Sequence, residues 1–133
     1  MTGILTAIAE KFRNDPYLTS LVPADNVLVG PPVPGHDVPA VAFTEARIRK
    51  QTITTGRDVV NVTVEYAGEV LTEEYAEKVS TAMYRGLTNW ETESLSVLAL
   101  SSWDVRWRRD ENSASEQWLI EGTLEYIAEE KGS

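Results

Sequence analysis

An unbroken alternation of apolar and polar residues from Ser102 to Arg108 constrains the fold of this chain more than any other feature. A β-strand turns successive side chains to opposite faces, so the segment predicts a strand with one apolar and one charged face. A second alternating run, at 118–126, follows a polar stretch at 109–115. The two runs together predict a long β-hairpin.

Three further segments have strand patterns. Residues 27–29 form a short apolar run, and the segments 40–48 and 58–66 are longer, the latter alternating between valine or tyrosine and polar residues from Val60 to Tyr66. The link at 49–57 is longer than the two to five residues of a tight hairpin loop. It either projects as an arm with basic ends, or the two strands run further than their patterns show.

Two amphipathic helices are predicted, one near the start of the chain and one in its middle. Apolar residues recur at helical spacing from Ile4 to Phe12, and Pro16 ends this helix because a proline disfavours helical angles in the residue before it. A further short helical turn is expected at 17–22. Thr72 is the predicted N-cap of the second helix, whose apolar stripe runs from Tyr75 to Leu87.

The order of these elements predicts one α+β domain spanning residues 1–133, which is the size of an ordinary single domain. Neighbouring strands joined by loops pair antiparallel. We therefore expect an antiparallel β-sheet with two helices packed on one face.

Composition excludes several classes of function. Twelve basic and 21 acidic residues give a net charge of -9, which makes the chain a poor general binder of DNA or of anionic membranes. It has no cysteine, so disulfides and thiolate chemistry are excluded. No apolar run approaches the roughly 20 residues that cross a bilayer, and the start lacks a secretory signal, so we expect a protein of the cytoplasm.

Catalytic and metal-binding candidates are sparse. His36, the single histidine, lies beside Asp37 in a proline-rich segment, where the pair could orient a general base, but an ordinary loop position is favoured. Glu73 and Glu77 share a helix face, and a solvated face is the favoured interpretation over a metal site. We therefore predict that the protein is not an enzyme and has no cofactor, catalytic residue or metal ligand.

Basic residues cluster at two places in this acidic chain, and each cluster could bind an acidic partner surface. The alternative is simple charge balance against the many glutamates. The predicted interface residues are Arg47, Arg49, Lys50, Gln51, Thr52 and Arg57 around the middle link, and Arg108 and Arg109 at the last hairpin loop.

Several phrases, in this order, resemble the tail-terminator (tail-completion) proteins of long-tailed bacteriophages. They are the segments 15–22, 27–34 with 38–43, 55–57, 75–77 and 108–111. The resemblance covers nearly the whole chain and carries no catalytic motif. It implies a small α+β subunit that forms a ring, usually of six copies, at the head-proximal end of the tail tube. There the ring ends tail polymerisation and joins the tail to the head connector.

The resemblance also implies the partners and the location. The partners would be further copies of the chain, the tail tube protein and a head connector or neck protein, with DNA passing through the lumen without specific binding and no membrane involved. The location would be the virion, after assembly in the host cytoplasm. The alternatives are another neck component, such as a head-closure or adaptor protein, and a small monomeric adaptor or ligand-binding domain.

Overall fold

The structure is a computed structural model that describes residues 3–31, 38–52, 58–92, 95–109 and 118–130, with the backbone alone at 51–52, 97–105 and 107–109. Its helices are α1 (Ile4–Arg13), α2 (Pro16–Leu21) and α3 (Glu73–Gly86), with a 3-10 turn at Ala24–Asn26. Its strands are β1 (Val27–Val29), β2 (Ala40–Thr52), β3 (Asp58–Val70), β4 (Leu95–Arg109) and β5 (Trp118–Glu130).

The strands form one sheet in the order β1-β2-β3-β5-β4. Every neighbouring pair is antiparallel except β1 with β2, which pair in parallel with Val27 opposite Val41. The α+β class is therefore confirmed, and the sheet is mixed rather than wholly antiparallel. A tight hairpin would have forced antiparallel pairing, whereas the longer connection at 30–39 lets the chain return to the sheet end where β1 begins.

The helices pack on one face of the sheet, as predicted, and the short turn expected at 17–22 is a third helix among the described residues. Alternate positions of β3 and β5 point towards these helices and are buried. Phe12 of α1 meets Phe43 of β2 edge to face, with ring centroids 6.0 Å apart. The fully buried side chains with the largest volumes are Tyr66, Tyr126, Phe12, Phe43, Ile8, Leu18, Met83, Leu87, Leu95, Ile120 and Leu124.

Local capping explains where the helices begin and end. Helix α1 ends at Arg13, and the Asp15 carboxylate then accepts hydrogen bonds from the backbone N–H groups of Tyr17 and Leu18, which begins α2 with Pro16 in its first turn. The Thr72 hydroxyl accepts a hydrogen bond from the Tyr75 N–H at 3.1 Å. The predicted N-cap of the second helix is thus confirmed.

The two middle strands run further than their sequence patterns suggested. Antiparallel pairing between β2 and β3 continues to Thr52 opposite Asp58. Residues 49–52 are therefore strand rather than part of a projecting arm, and residues 53–57 lie outside the described part of the chain. The remaining link has the length of an ordinary hairpin loop.

No helix in the described ranges is long and apolar enough to cross a membrane.

Candidate assembly interface

The face of the sheet opposite the helices carries mostly polar side chains, and we call it the open face. It arises from the same alternation that buries the other face, because successive residues of a strand point to opposite sides. Register and burial assign its positions on the three central strands. The polar ones are Glu45, Arg47 and Arg49 on β2, Asn61, Thr63, Glu65 and Glu69 on β3, and Glu121, Thr123, Glu125 and Glu129 on β5, and the apolar ones are Ala40, Ala42, Val59, Ala67, Leu119 and Ile127.

Charge on the open face is divided between its centre and its margins. The central strands β3 and β5 contribute five glutamates. The basic residues lie on the flanking strands, with Arg47 and Arg49 on β2 and Arg106 on β4 opposite Glu121. An acidic strip is thus bordered by arginine on both sides.

A shallow depression of about 340 Å³ lies on this face, where β2 is irregular between Phe43 and Glu45. The Thr44 hydroxyl donates a hydrogen bond to the Glu65 carbonyl at 3.2 Å across the irregularity. The lining residues are Thr44, Glu65, Tyr66, Ala67, Arg106, Glu121, Gly122 and Thr123. Across the described residues, no group of three potential ligands could hold a metal ion.

The predicted basic cluster of β2 is divided between the two faces of the sheet. The Arg47 guanidinium lies 3.1 Å from the Glu45 carboxylate on the open face, and this hydrogen bond raises the pKa of Arg47. Lys50, opposite Val60, lies on the helix side, where its ammonium group is 3.0 Å from Glu130, and this hydrogen bond raises the pKa of Lys50. Both side chains are exposed and both keep their positive charge.

Arg49 differs from its two basic neighbours. It lies on the open face opposite Asn61. Within the described part of the chain, no carboxylate forms an ion pair with it. Of the predicted residues with described side chains, Arg49 is therefore the one with a charge available to a partner.

The remaining predicted interface residues are placed by their backbone or lie outside the described ranges. Gln51 and Thr52 pair with Val59 and Asp58 at the end of β2. Arg108 and Arg109 pair with Leu119 and Trp118 at the opposite end of the sheet. One chain therefore does not bring the two basic clusters together. Arg57 lies outside the described residues, and so does His36, the candidate for a general base.

The sheet has two free margins in the described part of the chain, and the sequence did not show which strands form them. Among the described strands, β4 ends the sheet on one side, and β1 covers β2 only from Val41 to Phe43 on the other. Residues 45–52 of β2 are therefore an open edge. The alternation of apolar and polar residues does not reveal the order of strands in a sheet. The length of β1, three residues, could have indicated that a longer strand beside it keeps part of its edge unpaired.

Comparisons with known proteins show a likeness of fold. No family model matches the chain, and no curated protein matches it. Among solved structures, it is similar to a chain of the "Virion of native gene transfer agent (GTA) particle", with a TM-score of 0.65 and 17% sequence identity over 95% of this chain and 94% of that chain. At this identity, the likeness shows that the two chains share a fold over nearly their whole lengths.

Proposed function

We propose that this protein is a structural component of a phage-like virion and forms a ring at the head-proximal end of the tail tube. The ring ends tail polymerisation and joins the tail to the head connector. The observation that carries the proposal is the whole-length fold likeness to a chain of a gene transfer agent virion. The ordered phrases that resemble tail terminators support the same role.

The charge distribution is consistent with a ring through which DNA passes. The net charge is -9, and the described open face concentrates glutamate on its two central strands. Like charges repel, so such a surface lets a phosphate backbone slide past without binding it. The proposed partners are other copies of the chain, the tail tube protein and a neck protein, and the proposed role involves no catalysis.

Deletion of the gene from the phage or prophage that encodes it is the decisive experiment. We expect overlong tails in electron micrographs of the lysate, because nothing then ends polymerisation, and normal tails when the wild-type gene is restored. Tails of normal length left unjoined to heads would contradict the terminator role and favour a head-closure or adaptor protein.

Substitution of the basic end of the middle hairpin tests which surface assembles. Changing Arg49, Lys50 and Arg57 together to serine should weaken self-association or tube docking and leave the circular dichroism spectrum unchanged. A control with the same change in net charge replaces Lys11, Lys78 and Arg85, which lie on the helices α1 and α3. Equal assembly of the two variants would remove the hairpin from the interface.

A further inference from the structure

We propose that copies of this chain join by strand pairing, with residues 102–108 of β4 in one copy running antiparallel to residues 45–51 of β2 in the next. This contact deepens the proposed ring and rests on the proposed function only for the closure of that ring. Both segments lie at open margins of the described sheet, and they are equal in length.

The choice of segments follows from what blocks the rest of each edge. On β2, residues before 44 are covered by β1, and the Gly30 N–H closes that pairing by donating to the Phe43 carbonyl at 2.8 Å. On β4, the register shifts between Ser96 and Ala99 and again between Leu100 and Ser102. Irregularities of this kind blunt an edge against pairing, whereas residues 102–109 pair regularly with β5.

Strand direction and sheet polarity are compatible with this contact. Because β2, β3, β5 and β4 alternate in direction, β4 of one copy is antiparallel to β2 of a copy placed beside it in the same sheet. The open faces of the two copies then lie on the same side, with the helices on the other. The two edges are unlike surfaces, so the contact is heterologous and repeats from copy to copy, as a ring requires.

Directly opposite residues of antiparallel strands point to the same face, which restricts the register. Arg49 lies on the open face, and the pairing of Asp104 with Thr123 assigns it the open-face position. The register that joins Arg49 to Asp104 also places Glu45 opposite Arg108 and Ile48 opposite Val105. It thus gives two opposite-charge pairs and, with Ala46 opposite Trp107, two apolar pairs.

One pairing in this register joins like charges, Arg47 with Arg106. Each of these residues has an acidic neighbour in its own copy, because Arg47 is hydrogen-bonded to Glu45 and Arg106 lies opposite Glu121. The neighbouring carboxylates offset the repulsion. Arg49, which has no such partner among the described residues, gains one in Asp104 of the next copy.

The stagger between the strands of successive copies matches the strand tilt that closure of a sheet into a ring requires. Within one copy, Glu45 pairs with Glu65 of β3. Arg108 of that copy aligns, through Leu119 of β5, with Glu69 of β3, and it lies opposite Glu45 of the next copy. Successive copies are therefore staggered by about four residues, or about 13 Å. Across four strands about 4.8 Å apart, that stagger tilts the strands by about 35°, which is within the range of closed barrels.

The absence of cysteine from this chain allows a clean cross-linking test. The variant Arg49→Cys with Asp104→Cys should form a ladder of covalent multimers on mild oxidation, because the two Cβ atoms approach across the interface. Within one copy, the two positions lie about 14 Å apart across the sheet and about 13 Å apart along the strands, too far for a disulfide. The matched control is Lys50→Cys with Asp104→Cys, since position 50 lies on the other face.

We expect multimers in the first variant and mainly monomers in the control. Equal cross-linking in both variants, or assembly without any link between positions 49 and 104, overturns the strand pairing. Monomers without cross-links at micromolar concentration also overturn it. If gene deletion gives overlong tails but positions 49 and 104 do not cross-link, the strand pairing is rejected and the proposed function is left intact. If positions 49 and 104 cross-link specifically but the tails are normal after gene deletion, the proposed function is rejected and the strand pairing is left intact.

Charge reversal gives a second readout that a loss of folding would not imitate. Arg49→Asp alone and Asp104→Arg alone should each weaken association by about fivefold per interface, the size of a cross-strand ion pair. The double reversal, Arg49→Asp with Asp104→Arg, should restore it. Failure of the double variant to recover, with all three variants folded by circular dichroism, excludes the 49–104 contact.

Discussion

The two faces of the central sheet come from the same strands and differ in nearly every property. On the helix side of β3, Val60, Val62 and Val64 have no exposed surface. On the open side, the intervening positions are partly exposed and polar, and even the apolar Ile127 of β5 is 48% exposed. One face provides the stability of the domain, and the other presents charge.

This difference shows how a small domain can keep the surface that stabilises its fold separate from the surface that can contact other molecules. Burial of apolar surface contributes about 25 cal/mol for each Å² removed from water, so the helix side accounts for most of the free energy of folding. The open face and the strand edges contribute little to it and are available for contacts with other molecules. Substitutions should therefore divide into those that unfold the chain and those that change only its associations.

Phe43→Ala is the strongest test of this division. Phe43 is fully buried and packs against Phe12, so its truncation should lower the free energy of unfolding by about 3–5 kcal/mol, through lost burial and an unfilled cavity. Urea denaturation followed by circular dichroism measures the loss. A decrease below about 1 kcal/mol would mean that the helix side is not the stabilising face.

Gly68→Ala tests how closely the buried face is packed without removing any contact. A Cβ at this position would lie 2.6 Å from the Ala40 carbonyl oxygen and 3.1 Å from Cγ1 of Ile120. The backbone of β2 must shift to admit it, at a cost of about 1–3 kcal/mol. The control Ala67→Ser changes the neighbouring residue, which points to the open side, and should change stability by less than about 0.5 kcal/mol. Equal effects at the two positions would contradict this packing.

The sequence contained enough information to predict the order of the elements, because burial of one face imposes a period of two on the strands and of 3.6 on the helices. It did not determine the parallel pairing of β1 or the outer position of β4, since both depend on where connections lead and not on local patterns. The helix α2 was expected as a short turn, while the capping role of Asp15 was missed, although a carboxylate before a proline is typical of a helix start.

The surroundings of the predicted interface residues could be predicted from the sequence only in part. The basic residues of 47–52 and 108–109 stand out in an acidic chain, but composition does not show that Lys50 and Arg47 already have acidic partners in their own chain. Partners that are distant in sequence, such as Glu130 for Lys50, become neighbours only through the strand order. For the same reason, Arg49 could not be distinguished from its neighbours before the structure.

Tyr126→Phe tests a polar contact within the buried face. The Tyr126 hydroxyl donates a hydrogen bond to the Leu87 carbonyl at 2.5 Å, and its loss leaves that carbonyl without this donor. The free energy of unfolding should fall by about 1–2 kcal/mol. Tyr17→Phe, at a position that is 57% exposed, is the control and should change stability by less than about 0.5 kcal/mol. The same loss in both variants would contradict the role of the buried bond.

Alkaline titration of the wild type examines the same hydroxyl. Burial raises the pKa of Tyr126 far above its ordinary value, although the contact with Trp90 acts in the opposite direction. The folded state therefore keeps the proton while the unfolded chain loses it above about pH 10. Stability contributed by this group is present below that pH and is lost as the pH rises further. Thermal unfolding of the wild type should show this decline, and Tyr126→Phe should reduce it.

Thr63→Ala should have the smallest effect, and it tests whether the open face is solvated or covered. Thr63 lies on the open side of β3 between Arg47 and Glu125, so in a solvated face its truncation should change the free energy of unfolding by less than about 0.5 kcal/mol. Urea denaturation at two protein concentrations makes the comparison. A larger loss that grows with protein concentration would mean that another copy covers this face, because association stabilises the folded state by mass action. A larger loss independent of concentration would mean that the open face contributes to the folded monomer itself.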